Sequence, residues 1–194
     1  MFFLNKPDEA FIRRVLEKQK GEPFSYPEVG ASGRRAPGGY NLDHNRVLLG
    51  DGYGTFRKAI EAVKSWKMFD FPWLKLCWPD APIAEGSTVG ILVRHFGLWS
   101  LNSCRIVYLI EEQGEIERYG FAYGTLSAHV ERGEERFSVE YHQAGGKVWY
   151  DLYAFSKPRH ALARAGYPVS RLLQKRFARD SKRAMVRAVN DGRL

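Results

Sequence analysis

The chain has 194 residues, 44% of them hydrophobic, with 12 Phe, 10 Tyr and 5 Trp, enough apolar surface to offset the entropy of ordering, which excludes a disordered chain. The length suits one domain over residues 1–194, and no run of 18 apolar residues is present to span a bilayer. The formal charge of +8 is uneven: residues 157–194 carry +9 and the first 156 residues carry −1, so an electrostatic footprint for a polyanion would lie on the tail.

The opening MFFLNKPDEAF is too short in apolar residues for a secretory segment, so a cytoplasmic location is expected. Residues 8–20, DEAFIRRVLEKQK, begin with acids, end with bases and place Phe11, Val15 and Leu16 on one helical face before Gly21. Residues 21–52 hold four glycine turn signals and three prolines, and only NRVLLG reads as a strand. Residues 1–45 are therefore expected to form a helix and a covering arm, with Tyr26 and Tyr40 over the mouth of any site.

In GTFRKAIEAVKSWKMF, residues 54–69, the face Phe56, Ile60, Val63, Trp66 and a candidate N-cap, Thr55, predict a helix. The period then changes to two. Segments 87–96, 101–112, 118–130, 134–143 and 147–156 are rich in Val, Ile, Phe, Tyr and Trp, and Gly97, Gly114, Gly133, Gly145 and Gly146 lie between them, which predicts an antiparallel meander. Cys77 and Cys104 have apolar neighbours and no CxxC spacing, so buried reduced thiols are expected.

After Pro158 the helical period returns. Val169, Leu172, Leu173, Phe177, Ser181, Ala184, Met185 and Ala188 form one stripe, and Arg171, Lys175, Arg179, Lys182 and Arg187 fall opposite, so 157–194 reads as a basic amphipathic helix. That stripe needs a partner, and the concave face of the sheet formed within 46–156 is the only large one. The expected fold is α+β: a helix-grip arrangement in which a curved antiparallel sheet of six or seven strands grips a long C-terminal helix. Curvature of that kind leaves a hollow between sheet and helix.

The segments FSYPEVGAS, GYNLDHNRVLLGDG, LVRHFGLWSLNSCRIVYLIEE, RYGFAYGTLSAHVERGEERFSVE and VWYDLYAFSKPRHALARAGYPVSRLLQKRFARDS resemble the bacterial and plant family called domain of unknown function nineteen-ninety. The resemblance runs from about Phe24 to Met185. It implies a wider likeness to START-like, polyketide-cyclase-like and birch-pollen-allergen-like helix-grip proteins. Those relatives mostly bind apolar small molecules, and a few catalyse cyclisation, hydration or hydrolysis; fold analogy does not choose among them.

Candidate site residues come from strand alternation. In 119–129 the bulky residues Tyr119, Phe121, Tyr123 and His129 share one side, and in 135–141 Glu135, Phe137, Val139 and Tyr141 do so. The even set Arg136, Ser138, Glu140 and His142 reads as the water face. A turn at Glu131 to Glu134 would bring His129 and Glu135 together at the rim, with Tyr123 and Tyr141 deeper. Such a pair suits either a polar anchor, a general base (His129) oriented by a carboxylate (Glu135), or a plain structural ion pair. His95 shares a strand face with Val89, Ile91 and Val93 and is expected to point inward, as a ligand contact or a satisfied core histidine.

His44, His142 and His160 show neither HxH nor HExxH spacing, no GxSxG is present, and LLGDGYGTF lacks a P-loop lysine, so neither metal nor cofactor is expected. The expected partner is a small apolar or amphipathic molecule. Nucleic acid or anionic lipid on the basic helix, through phosphate contacts alone, is the weaker alternative, because the aromatic residues turn into the sheet core.

Overall fold

The computed structural model describes residues 1–35, 37–78, 80–159 and 167–191, so His160 lies outside the described residues. In chain order the elements are β1 (Phe2–Phe3), α1 (Glu9–Gln19), β2 (Asn41–Asp51), α2 (Tyr53–Lys64), β3 (Leu74–Cys77), β4 (Thr88–His95), β5 (Leu98–Glu112), β6 (Ile116–Thr125), β7 (Glu131–His142), β8 (Lys147–Pro158) and α3 (Tyr167–Asn190). Single 3-10 turns occur at Ala31–Gly33 and Lys67–Phe69. No helix among the described residues is long and apolar enough to cross a membrane.

The sheet is wholly antiparallel, in the order β2-β8-β7-β6-β5-β4-β3, with β1 added alongside the start of β5. It curves, with register shifts between Leu48 and Gly50 and between Ile106 and Tyr108. Alternation gives it two distinct faces. On the concave face Phe121, Phe137 and Leu152 lie side by side in register and are fully or almost fully buried with Val63, Met68, Phe69 and Met185. On the convex face Leu92, Leu101 and Cys77 form a smaller core with Ile12 and Leu16 of α1. The Leu16 side chain fits over Gly90, where a β-carbon would sit 3.0 Å from it. Gly120 is needed for strand packing itself, since a β-carbon there would fall 2.1 Å from the Phe137 carbonyl oxygen.

The expected α+β helix-grip architecture is present, with several local differences. Asp8 caps α1, accepting a hydrogen bond from Phe11 N at 2.7 Å. Thr55 does not cap α2: Gly52 occupies that position at φ 86°, and the Thr55 hydroxyl donates back to the Asp51 carbonyl at 2.7 Å. The helix expected to continue to residue 69 stops at Lys64, and Trp66 adopts φ 55° to begin the 3-10 turn. The arm does not cover the mouth of the hollow. It packs on the convex face, where Glu134 accepts hydrogen bonds from Tyr26 Oη at 2.6 Å, Gly30 N at 2.8 Å, Ser32 N at 2.9 Å and Ser32 Oγ.

The convex side of β7 is not simply a water face. Arg136 and Arg46 both bridge to Asp151, at 3.0 and 3.1 Å; Arg46 and Arg118 both bridge to Glu140, at 2.5 and 3.1 Å; and His44 reaches Asp151 at 2.6 Å. Asp151 and Ser138 are almost fully buried in this ionic layer. The alternation of polar residues resembles that of an exposed face because a charge paired across strands looks the same in one sequence as a charge in water.

Candidate functional site

Helix α3 is seated by one half only. From Ala178 onward, Ser181, Ala184, Met185 and Val189 are buried against the core, and the Ser181 hydroxyl is 2.9 Å from that of Tyr150. The preceding half, carrying Val169, Leu173 and Phe177, stands over the sheet without filling the space beneath it, and Leu172, expected in the apolar stripe, is 59% exposed. The hollow between them has a volume of about 530 Å³, in the range of small-molecule sites.

Polar clasps hold the helix over this hollow. Gln174 donates to Ser156 Oγ at 2.8 Å and to Glu131 Oε2 at 2.5 Å, and Ser170 donates to Glu131 Oε1. Arg171 forms a two-pronged pair with Asp43 at 2.5 and 2.7 Å. The periodicity placed Arg171 on an outer basic face, but it turns instead to β2; Arg179 pairs with Asp180 at 2.9 Å. The basic side of α3 is therefore partly neutralised by the protein's own carboxylates, which weakens the polyanion alternative. Trp73 closes another wall, with its Nε1 donating to Asp180 at 2.9 Å and the Arg176 guanidinium 4.6 Å above its ring.

His95, Tyr123, His129 and Glu135 all line the hollow. Tyr141 does not: it lies under α2, stacked on Phe56 at 5.8 Å and edge-on to Tyr53 at 5.6 Å. The register explains what comes together. Tyr123, Glu135, Ala154 and Asp43 form a row across β6, β7, β8 and β2, and Tyr123 Oη donates to Glu135 Oε2 at 2.7 Å. Ala154 is the small member of that row, and it leaves room beside the carboxyl group.

His129 and Glu135 do not form a pair; no hydrogen bond or ion pair joins them. The strand connection is Leu126–Val130, not Glu131 to Glu134, because β6 stops at Thr125 and the chain folds inward. Leu126 N donates to Ser103 O at 3.0 Å, and Ala128 N donates to Gln19 Oε1 at 2.9 Å. His129 Nδ1 is held by the Glu131 backbone, 3.0 Å from its N and 3.1 Å from its carbonyl oxygen. Burial, then the positive amino terminus and Arg159, push the His129 pKa down to about 3, whereas burial, then Glu131 and Asp43, push that of Glu135 up to about 8 against the opposing Tyr123 hydrogen bond. At neutral pH the two groups are thus an uncharged imidazole and a mostly protonated acid. A base oriented by a carboxylate is not what the geometry provides.

His95 sits at the mouth, edge-on to Phe2 at 5.9 Å, with a buried Nδ1 that has no partner among the described residues. Burial lowers its pKa. Asp43 and Glu131 were missed as lining residues because one fell in the supposed arm and the other in the supposed turn. For Asp43 a signal existed, since Asp43, Asn45 and Val47 alternate with His44 and Arg46 as in a strand. Cys77 and Cys104 are both buried free thiols, on the convex and concave sides, and burial pushes Cys77 up to about 11. No group of three or more His, Cys, Asp or Glu side chains among the described residues is gathered to hold a metal ion.

Residues 25–184 match the family described as Domain of unknown function (DUF1990). The chain is 36% identical over 208 residues to a UPF0548 protein of Dictyostelium discoideum, covering 97% of this chain and 96% of that one. It is 37% identical over 200 residues to a UPF0548 protein of Deinococcus radiodurans, covering 97% and 98%. Among solved structures it is similar to the hypothetical protein jhp0584 from Helicobacter pylori, with a TM-score of 0.53 at 13% identity over 84% of this chain and 94% of that one, a likeness of fold alone.

Proposed function

The chain belongs to the Domain of unknown function (DUF1990) family, and from that premise we propose that it binds a small apolar or amphipathic molecule between the sheet and α3. The observation that carries this reading is the unfilled hollow of about 530 Å³, walled by Trp73, Ile91, Val93, Leu173 and Phe177 and carrying Tyr123, Glu135 and His129. Apolar walls supply affinity by removing ligand surface from water, at roughly 25 cal/mol per Å² before the costs of association are deducted. A few converging polar groups fix the ligand's orientation.

The test is binding of a neutral fluorescent apolar dye, Nile red, to the full chain, together with substitutions that fill the space. Ala154→Phe from the sheet side and Leu173→Trp from the helix side are expected to abolish dye binding while the circular dichroism spectrum is retained. Dye binding unchanged in both folded variants would place the apolar site elsewhere and reject the proposal.

A further inference from the structure

We infer that the ligand of this hollow carries a basic nitrogen at its polar end and that Glu135 is its counter-ion. This rests on the reading of the hollow as a ligand site and adds the chemical class. The lining among the described residues includes four carboxyl groups, Asp43, Glu131, Glu134 and Glu135, and no Lys or Arg side chain. These four are not equivalent: Glu134 turns to the convex face, where both of its oxygens accept hydrogen bonds from the arm. Asp43 has its cation in Arg171, held by two hydrogen bonds, and Glu131 is occupied on both oxygens by the uncharged donors Ser170 and Gln174. Glu135 accepts only from Tyr123, on Oε2; its Oε1 takes no hydrogen bond from the described residues and has the short Ala154 as its neighbour in the row.

The consequence is a selection by sign. An anionic amphiphile brought into this space would lose its hydration, meet Glu131 and Glu135, and find no cationic side chain on the walls among the described residues. His129 does not supply one, because burial keeps its ring neutral. An ammonium group has the opposite experience: it meets a desolvated carboxyl group with a free oxygen, and its approach favours the ionised form of Glu135, since an opposite charge lowers a carboxyl pKa. The proton held by Glu135 in the empty protein then leaves to solvent as the amine binds. A neutral alcohol gains the apolar walls but not this ion pair.

The experiment compares dodecylamine, dodecanol and laurate, which share one chain length, as competitors of Nile red on the full chain at pH 7.5, each below its micellar concentration. Dodecylamine is expected to bind roughly tenfold or more tighter than dodecanol, the equivalent of one ion pair of modest strength, and laurate weakest of the three. In Glu135→Gln the advantage of the amine over the alcohol is expected to collapse. Calorimetry of the unsubstituted protein in two buffers of different ionisation enthalpy is expected to show net proton release with dodecylamine below pH 8 and none with dodecanol, a readout that does not depend on any variant folding. Laurate binding as tightly as the amine, or an amine preference unchanged in folded Glu135→Gln, overturns the inference while leaving the ligand site standing. Failure of all three competitors and of Nile red overturns the ligand-site reading and this inference together.

Discussion

Replacing Glu135 with Gln tests the electrostatics of the hollow without any ligand. Glu135 has its pKa raised from 4.5 to about 8 in the folded chain, so the folded state holds a proton that the unfolded chain releases over that interval. The stabilisation from this proton is complete below pH 4.5 and is lost as pH rises through 8. At about 1.4 kcal/mol per pH unit, the contribution changes by about 5 kcal/mol across the interval. His129, lowered from 6.5 to about 3, acts in the other direction: it contributes stability present above 6.5 and lost as pH falls towards 3. The His129 slope is common to parent and variant, as is that of the Met1 amino group, whose pKa burial lowers, so the Glu135 contribution is the parent-minus-variant difference, which should fall by about 5 kcal/mol from pH 4.5 to 8. Urea unfolding at half-unit pH steps from 4 to 8.5 measures both chains, and groups shared by them cancel in the difference. A parent-minus-variant difference constant within about 1 kcal/mol across that range would refute the assignment of a desolvated, protonated Glu135.

Two further predictions concern the convex face. Glu134→Ala should cost at least about 3 kcal/mol, because Tyr26 Oη, Gly30 N, Ser32 N and Ser32 Oγ lose a common charged acceptor; limited proteolysis should then cut within 24–35, and a resistant arm would contradict the account. Asp151→Ala should cost about 3 kcal/mol or more in urea unfolding, since Arg46, Arg136 and His44 lose their shared partner. A loss below about 1 kcal/mol would mean that water replaces the carboxylate without penalty.

The overall architecture was legible because it rests on periods. The change from a period of 3.6 to one of 2 after Phe69, and back again after Pro158, identified the meander and the gripping helix. What period could not supply was partnership. Strand β3 escaped notice because its four residues, LKLC, are too few for an alternation to stand out. His129 was set beside Glu135 by extending β6 beyond Thr125, and no local signal announces that Gln19 and Ser103, distant in sequence, draw residues 126–128 out of the strand. Tyr141 sits on the predicted face of β7, yet α2 covers that end of the sheet, so a correct orientation still led away from the hollow. In the same way, the spacing of Arg171 gave its position on the helix and not the reach of a long side chain towards Asp43.

The ionic layer on the outer side of the sheet also bears on how the strands find their alignment. Apolar alternation penalises a slip of one residue, which turns every side chain to the other face, but it is blind to a slip of two. In the native alignment Ser138 is opposite Asp151. Moving β7 by two positions so that Glu140 took that place would leave the greasy rows intact while setting two carboxylates face to face. The charges thus disfavour that alignment, a choice that oil and water alone leave open.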